Sequence, residues 1–347
     1  MRKSLLIAAL IFVMTVFSTV QAQTQWIKQK EELVFINPPF KQCHASTLVE
    51  VSAGKLLLSC FGGSSEGKQD VDIWLCTLSD DGISTPRDVA NGMVNDTLRY
   101  PTWNPVLFKT KTGKLMLFYK VGPNPREWIG MVKTSNDSGM SWSEPSKLPH
   151  NILGPIKNKP VQLADGTILS PSSVEVTEKR WTAHIEKSVD DGVTWKSFPI
   201  DPDSKYDVIQ PSILFYSKHR LQVLCRSKQG NVMQAWSSDG GESWGKLKKT
   251  SLLNPNSGTD AVTLKDGTQL IVYNPDVPGQ DWFNGRGKLR VASSADGITW
   301  KDVMVLEDGV KEEYSYPAII QTSDGLVHIT YTHDRKNIKH VVLKNVQ

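Results

Sequence analysis

An eight-residue string with the pattern S-x-D-x-G-x-[ST]-W occurs three times in this chain. It reads SNDSGMSW from residue 135, SVDDGVTW from residue 188 and SSDGGESW from residue 237. A shorter copy, SADGITW, begins at residue 294, and a faded copy, LSDDGIS, begins at residue 78. In such a string the Asp carboxylate can accept backbone N–H bonds, the Gly supplies a positive φ, and the Trp returns to pack on a sheet. The strings therefore predict a repeated structural turn.

The spacing of the strings indicates what the turns connect. Successive copies start 53, 49 and 57 residues apart, a period that suits a propeller blade of four short strands. A second repeat, two strand-like runs around a turn, occurs six times, with turns at positions 54, 113, 166, 219, 267 and 325. Nothing between these runs resembles a long amphipathic helix. We predict an all-β fold, a single six-bladed β-propeller domain over residues 23–347.

The N-terminal segment predicts export. It reads MRKSLLIAALIFVMTVFSTVQAQ, with two basic residues, an apolar stretch and then the small-residue pattern VQA at residues 20–22. This order is typical of a secretory signal peptide, here residues 1–22, with a mature start at Gln23. A membrane anchor is the weaker alternative because the apolar run is shorter than the ~20 residues that a spanning helix needs. We expect a periplasmic or secreted protein with no membrane span after signal removal.

The charge balance and the cysteine content limit which partners, metals and cofactors this chain is expected to bind. Without residues 1–22 the chain holds 38 Lys and Arg against 36 Asp and Glu, a balance that argues against nucleic acid as a partner. Cys60, Cys76 and Cys225 lie in apolar stretches and are expected to be buried thiols. A disulfide such as Cys43 with Cys60 is the alternative in an oxidising compartment. The cysteine spacing does not resemble a zinc site, and the glycine-rich stretch GGSSEG lacks the ending of a phosphate loop, so we predict no metal and no cofactor.

Candidate functional residues come from the first strand of each predicted blade, which lines the central channel. Stacking the six hairpins on their turns places one polar residue of each at the channel entrance: His44, Asn104, Lys159, Gln210, Asp260 and Tyr316. A funnel lined with reactive groups is the functional interpretation, and solvation of the entrance is the alternative. Glu66, Arg226 and Arg286 lie in turns and strand ends around this ring. Cations converging there would suit a substrate with a carboxylate, since guanidinium binds carboxylate through two parallel hydrogen bonds.

The repeated strings look like Asp-boxes. Together with the six hairpins they make the chain similar to sialidases and to sialidase-like proteins with BNR repeats, over essentially its whole mature length. The segments HAST, WNPVLF, GPIKNKP, NPNSG and YSYPA resemble the sialidase-like branch of this superfamily. Asp-boxes also occur in propellers with other functions, so the resemblance is specific for the fold and less so for the activity.

The resemblance implies a set of site residues. Sialidases use three arginines on the substrate carboxylate, an Asp as acid/base, and a Tyr nucleophile partnered by a Glu, an exception among glycosidases. RLQVLCRS resembles the segment that carries the second arginine, which would be Arg226, and GRGKLRVASSADGITW favours Arg286 as the third. YSYPAII resembles the tyrosine segment and leaves Tyr314 and Tyr316 as alternatives. KQDVDIWL resembles the acid/base loop and favours Asp70 over the neighbouring Asp72.

Two positions depart from the sialidase pattern. His44 stands where the first arginine is expected, and Gln210 stands where the glutamate partner of the tyrosine is expected. An amide cannot take a proton from a phenol. Asp260 and His44 belong to the same predicted ring and could supply a base instead.

Three functions follow from these residues. The leading hypothesis is an exported exo-glycosidase that removes a terminal acidic sugar, sialic acid first and uronic or other keto acids next. In it the arginines and Lys159 hold the carboxylate, Asp70 protonates the leaving oxygen, and Tyr314 or Tyr316 attacks or stabilises the anomeric cation. The second hypothesis is a polysaccharide lyase that eliminates at a uronate. The third is a glycan-binding propeller without turnover.

Overall fold

The computed structural model describes residues 25–203, 205–217, 219–281 and 283–346, and these ranges contain strands and loops but no helix. The strands, in chain order, are β1 (Gln25–Leu33), β2 (Gln42–Ser52), β3 (Lys55–Gly63), β4 (Asp72–Ser79), β5 (Gly82–Ile83), β6 (Arg87–Ala90), β7 (Thr102–Lys109), β8 (Leu115–Val121), β9 (Ile129–Ser135), β10 (Ser146–Lys147), β11 (Val161–Gln162), β12 (Ile168–Glu175), β13 (Trp181–Ser188), β14 (Lys196–Pro199), β15 (Val208–Phe215), β16 (Leu221–Ser227), β17 (Asn231–Ser237), β18 (Lys248–Leu253), β19 (Asp260–Thr263), β20 (Gln269–Tyr273), β21 (Lys288–Ser294), β22 (Lys301–Asp308), β23 (Tyr314–Gln321), β24 (Val327–His333) and β25 (Asn337–Val346).

The strands form six antiparallel sheets, which are the blades of a propeller. Blade 1 contains β2 to β6, blade 2 β7 to β10, blade 3 β11 to β14, blade 4 β15 to β18, and blade 5 β19 to β22. Blade 6 contains β23, β24 and β25, and its fourth strand is β1 from the other end of the chain. Gln25 of β1 lies opposite Val346 of β25, and β23 packs against β2 of blade 1. The predicted six-bladed β-propeller is confirmed, and its N-terminal strand completes the last blade.

Apolar side chains fill the interfaces between neighbouring blades. A separate buried cluster lies at each of the six interfaces. Between blades 5 and 6, for example, Leu289, Ile319 and Tyr331 belong to one cluster. Since burial of one such side chain contributes roughly 1.5–3 kcal/mol, these clusters supply most of the stability that holds the ring together. The hydrophobic core is therefore a ring of contacts around the central channel.

The four Asp-boxes are the turns that lead into the outermost strands of blades 2 to 5. In the box at residues 188–195, the Asp190 carboxylate accepts bonds from the Ser188 hydroxyl (2.8 Å), the Thr194 hydroxyl (2.6 Å) and the Thr194 N–H (2.8 Å). Gly192 has a φ of 86°. Trp195 packs between blades 2 and 3. The box is thus a structural turn, as its sequence predicts.

All four cysteines are buried free thiols. The alternative of a Cys43–Cys60 disulfide is therefore not what the structure contains, and burial raises the pKa of the Cys60 thiol well above its usual value. The predicted signal peptide, residues 1–22, lies outside the described residues. Within the described part of the chain, no helix is long and apolar enough to cross a membrane.

Candidate functional site

The innermost strands of four blades are interrupted at the same place by a β-bulge. The bulges lie in β2, β7, β15 and β23. At each one a non-glycine residue adopts a left-handed conformation: Ala45 (φ 55°), Asn104 (φ 40°), Gln210 (φ 55°) and Tyr316 (φ 53°). Such a residue costs roughly 1–3 kcal/mol and persists only where its surroundings hold it. Strain repeated at the end of the channel where the inner strands begin marks that end, here called the mouth, as the candidate site.

The six residues stacked from the sequence do not share one register. Asn104, Gln210 and Tyr316 occupy equivalent bulge positions, but the equivalent residue in blade 1 is Ala45, one residue after His44. Lys159 and Asp260 belong to blades 3 and 5, whose inner strands have no such bulge among the described pairs. The stacking was wrong at these positions because an extra residue in a bulge shifts the count without any mark in the sequence.

Asp260 is a buried junction between blades. Its Oδ1 accepts hydrogen bonds from the Ser212 hydroxyl (3.0 Å) and the Ala261 N–H (2.9 Å). Its Oδ2 accepts one from the Ile319 N–H (3.0 Å) and pairs with the Lys159 ammonium (2.9 Å). Both carboxylate oxygens of Asp260 already have hydrogen-bond partners. Lys159 and Asp260 therefore form an ion pair that stabilises the fold.

Arg226 connects the tyrosine to blade 5. Its Nη1 donates to the Tyr316 hydroxyl oxygen at 2.6 Å, and its Nε donates to Asn256 Oδ1 at 2.9 Å. The guanidinium also lies over the Trp181 ring, 5.4 Å from its centroid. Gln210 joins the same group, with its Nε2 3.4 Å from the Tyr316 hydroxyl oxygen. A fixed cation thus touches the one phenol in the mouth.

Two further arginines share a carboxylate. Arg286, which is buried, pairs with Glu313 at 3.1 Å, and the Nε of Arg335 pairs with the same carboxylate at 2.8 Å. Burial alone would raise the pKa of Glu313, but the hydrogen bond and charge of Arg335 and the charge of Arg286 lower it. Asn256 accepts from both Arg226 and Arg286. We call Arg226, Arg286 and Arg335 the arginine cluster.

The structure separates the two candidate tyrosines. Tyr316 is half-buried and contacts Arg226, Gln210 and the His44 ring. Tyr314 belongs to the apolar cluster between blades 5 and 6, where its ring meets Tyr331. Burial raises the pKa of Tyr314. Tyr316 is therefore the tyrosine that lies in the mouth.

His44 lies against Tyr316 in a strongly cationic place. Its ring centroid is 4.2 Å from that of Tyr316, and its Nδ1 is 2.8 Å from the Thr332 hydroxyl. Its Nε2 is buried and has no hydrogen-bond partner among the described residues. Burial, followed by the charges of the arginine cluster and Lys157, holds the pKa of His44 well below 6.5. His44 is thus neutral at pH 7, with one buried ring nitrogen that has no hydrogen-bond partner among the described residues.

Lys157 lies beneath the tyrosine. Its ammonium donates to the Pro317 carbonyl (2.6 Å), the Thr259 carbonyl (2.9 Å) and Asn158 Oδ1 (2.8 Å). It is 5.9 Å from the centroid of the Tyr316 ring. Burial lowers the pKa of Lys157 to about 7. This side chain holds the residue that follows Tyr316 and so supports the left-handed bend that presents the phenol.

The loop at residues 64–71, which contains the predicted acid/base residue Asp70, borders the mouth at blade 1. Asp70 accepts hydrogen bonds from the Ser64 N–H (2.9 Å) and hydroxyl (2.8 Å) and is exposed. Asp72 instead pairs with Arg99, and burial raises its pKa against the opposing effect of that arginine. Glu66 pairs with Arg335. Asn104 turns its amide to the Ile156 carbonyl (3.1 Å) and bridges blades 2 and 3.

Arg335 and Glu313 are the site residues that the sequence did not reveal. The segment DRKNIKH, which includes Arg335, has the composition of a solvated surface, yet Arg335 is largely buried between Glu313 and Glu66. The signal that could have found it is charge balance. Glu313 lies two residues before Ser315 in the tyrosine segment. A buried carboxylate near the two predicted site arginines, Arg226 and Arg286, needs positive charges around it, and Arg335 is one of them.

Comparison with protein families identifies the repeat. The BNR repeat-like domain family matches residues 54–329. A search of curated proteins finds no match.

Solved structures share the fold at low sequence identity. A protein of unknown function from Dyadobacter fermentans has a TM-score of 0.74 and 17% identity, and the match covers 92% of this chain and 99% of that one. A Hadza microbial sialidase has a TM-score of 0.72 and 18% identity, over 87% of this chain and 65% of that one. Trypanosoma rangeli sialidase has a TM-score of 0.67 and 17% identity, over 88% and 55%. The chain thus spans less than two thirds of the length of these two sialidases.

Proposed function

We propose that this chain, which belongs to the BNR repeat-like domain family, is a sialidase-like exo-glycosidase that removes a terminal sugar bearing a carboxylate. The observation that carries the proposal is the contact between a phenol and a fixed cation in the mouth, Tyr316 to Arg226 at 2.6 Å, with Arg286 and Arg335 beside it. Sialic acid is the first candidate, because the Trypanosoma rangeli sialidase has been solved in complex with it. Other sugars that carry a carboxylate are the next candidate substrates.

The arginine cluster would bind the acid group of the sugar. Arg286 and Arg335 form ion pairs with Glu313 and Glu66, and Arg226 donates to Tyr316 itself, so the cluster places positive charge next to the phenol. Charge-assisted hydrogen bonds from guanidinium to carboxylate are about twice as strong as neutral ones. Lys159 was also predicted to bind the carboxylate, but its ammonium forms an ion pair with Asp260.

Tyr316 would face the anomeric carbon and either attack it or stabilise its positive charge. Every described hydrogen bond to the phenol oxygen comes from a donor, Arg226 or Gln210. Of the two bases suggested by the sequence, Asp260 has both oxygens engaged, whereas the His44 ring lies against Tyr316. His44 would therefore accept the proton, and Asp70 would protonate the leaving oxygen from its exposed loop.

A uronate lyase is the second candidate, and His44 favours it. A lyase needs cations on the carboxylate, a base for the C5 proton and an acid for the leaving oxygen. A neutral imidazole can accept a proton, and the Nε2 of His44 has no hydrogen-bond partner among the described residues. Tyr316 would then be the acid. A binding propeller without turnover is the remaining alternative from the sequence, and it would release no product.

Product analysis tests the proposal. The purified protein would be incubated with sialylated and uronate-capped oligosaccharides, and the products weighed by mass spectrometry. A free acidic monosaccharide is expected; an unsaturated product, lighter by one water, would identify the lyase, and an unchanged panel would rule out turnover of these glycans. Tyr316→Phe should abolish product formation, whereas Tyr314→Phe, in the apolar cluster, is the matched control and should stay within about 2-fold.

Gln210→Glu separates hydrolysis from elimination. The new carboxylate would stand within reach of the Tyr316 hydroxyl, where Gln210 Nε2 now lies at 3.4 Å. A carboxylate can accept the phenolic proton that an amide cannot. Release of the free sugar by this variant should rise if Tyr316 is a nucleophile. The glycosidase would be contradicted if this variant lost turnover and the wild type released an unsaturated product.

We also propose that residues 1–22 are removed during export and that residues 23–347 are the mature propeller domain. The support is the charge, apolar run and VQA pattern of that segment. N-terminal sequencing of the protein recovered from a periplasmic or culture fraction should begin at Gln23, and an intact Met1 would contradict the proposal.

A further inference from the structure

Arg335 is held by two carboxylates of different character. Glu313 belongs to the approach to β23, is 13% exposed at its side chain and also binds Arg286. Glu66 belongs to the loop at residues 64–71 and is 36% exposed. A ligand entering from solvent would therefore meet Glu66 first. Of the two acids on this arginine, Glu66 is the one that an incoming anion can replace.

The middle of the loop that carries Glu66, residues 65–69, is lightly attached. The ends of the loop are held, because Ser64 bonds to Asp70 and the carbonyl of the buried Val71 accepts from Thr102. The internal backbone hydrogen bonds of the loop are Lys68 N–H to the Ser65 carbonyl (3.1 Å) and Val71 N–H to the Lys68 carbonyl (3.0 Å). Gly67 has a φ of 81°, and a Cβ there would lie 3.4 Å from the Trp103 ring, so the loop rests on that ring. Segments with few buried contacts and exposed backbone are the parts of a protein that open at the lowest free energy.

A cleft lies beneath this loop. It has an empty volume of ≈ 180 Å³, none of it wide enough for a water molecule, and its walls include His44, Phe61, Glu66 and Arg335. His44 is 2% exposed, and its Nε2 has no partner among the described residues. Buried polar atoms are almost always paired, so a polar group of a ligand would satisfy this nitrogen. In this conformation the cleft is too narrow for a water molecule, and Glu66 is the carboxylate in its wall.

We propose that the cleft between His44 and Arg335 is a subsite for an anionic oxygen group of the substrate, and that Glu66 occupies it until the substrate arrives. An acid oxygen of the sugar takes the place of the Glu66 carboxylate on Arg335, a hydroxyl of the sugar donates to the unprotonated Nε2 of His44, and the loop moves outward. Glu66 is thus a tethered competitor that sets the affinity of the site. The inference rests on the proposed function for the nature of the ligand, an acidic sugar.

The test is a binding comparison on the mature protein. Glu66→Gln keeps the shape of the side chain and removes its charge. N-acetylneuraminate and D-glucuronate, which carry no leaving group, are titrated at low salt by calorimetry. Since a partly exposed ion pair competes modestly, the variant should bind at least one probe about 2- to 5-fold more tightly than the wild type. Equal or weaker binding by Glu66→Gln would overturn the proposal, and so would the absence of binding by both proteins.

Two further variants separate a local from a general effect. Glu242→Gln makes the same charge change at a carboxylate inside the Asp-box of blade 4, where it pairs with Lys187 at 2.6 Å, and should leave both Kd values unchanged. Adding Arg335→Gln to Glu66→Gln should remove the gain, and a gain that persists would contradict the subsite. Because the probes are not cleaved, failure of this test is distinct from failure of the proposed glycosidase, which product analysis decides.

Discussion

The Asp-boxes and the mouth differ in how far apart along the chain their hydrogen-bond partners lie. In an Asp-box every bond of Asp190 falls within residues 188–194, and the turn is exposed. In the mouth the partners of Tyr316 are 90 and 106 residues away, and they are buried. The boxes recur from blade to blade, whereas each mouth residue occurs once. Repetition therefore identifies the parts that stabilise the fold, and the exceptions to it identify the candidate chemistry.

The largest expected difference in activity is between variants of two arginines, each of which stacks on aromatic rings. Arg226→Met removes the cation on Tyr316 and should lower kcat/KM by at least about 100-fold, because breaking a buried charged contact leaves its partners unsatisfied. Arg220 stacks on Tyr216 and Trp236 at the far end of the same hairpin, and Arg220→Met should stay within about 2-fold. Steady-state kinetics on whichever acidic glycan is turned over would check this. Equal losses in both variants would mean that the mouth is not special.

Two buried lysines provide the next comparison. Burial lowers the pKa of Lys157 and of Lys120 to about 7. Lys157 supports the bend at Tyr316, whereas Lys120 binds the Pro155 carbonyl between blades 2 and 3. Lys157→Met should lower kcat about 10- to 100-fold, and Lys120→Met should not change it beyond about 2-fold.

The same lysines have a shared effect on stability. An unfolded lysine still binds its proton between pH 7 and 10, while the buried one does not, so the free energy of unfolding should rise across this range. Each lysine-to-methionine variant should flatten that rise, by up to about 1.4 kcal/mol per pH unit. Chemical denaturation at pH 7.5 and 9.5 would measure the slope. An unchanged slope in the Lys157→Met variant would contradict its buried, weakly basic state.

Low pH should destabilise the protein by protonating the Asp-box carboxylates. Hydrogen bonds within the boxes hold the pKa of Asp137, Asp190 and Asp296 at about 2; at Asp239 burial works against such bonds, and its pKa is also about 2. The unfolded chain takes up these protons near its ordinary pKa of about 3.9, so stability is present above pH 4 and is lost as the pH falls toward 2. Thermal melts between pH 5 and 2.5 would show the midpoint falling steeply below pH 4. A flat profile there would argue against these hydrogen bonds.

The smallest effect concerns a single box. Asp190→Asn should lower the melting temperature by a few degrees, since its Ser and Thr partners lose a charged acceptor. Asp80 of the faded copy has no box-type hydrogen bonds in the described residues, and Asp80→Asn should leave the melting temperature unchanged. Scanning calorimetry can resolve the two. If both variants melted alike, the faded copy would have to be counted as a working box.

Sequence reasoning predicted the blades well because their signals are local. The turns, hairpins and Asp-boxes each lie within a few residues, and the structure places the six predicted hairpins as the first two strands of the six blades. The site was harder, because Arg335 reaches Glu66 only when blade 6 closes on blade 1, a separation of 269 residues. The bulges at Ala45 and Tyr316 likewise depend on packing across the channel, so no count from the turns could set their register.

The pairing of β1 with β25 has a mechanical consequence. The two strands run antiparallel, with Gln25 opposite Val346, and they form the edge of the blade that carries Tyr316 and Arg335. A force applied to the two ends of the chain would load these hydrogen bonds one after another, as in a zipper. The blade that bears the candidate chemistry would peel open first, while blades 2 to 5 still held their shape.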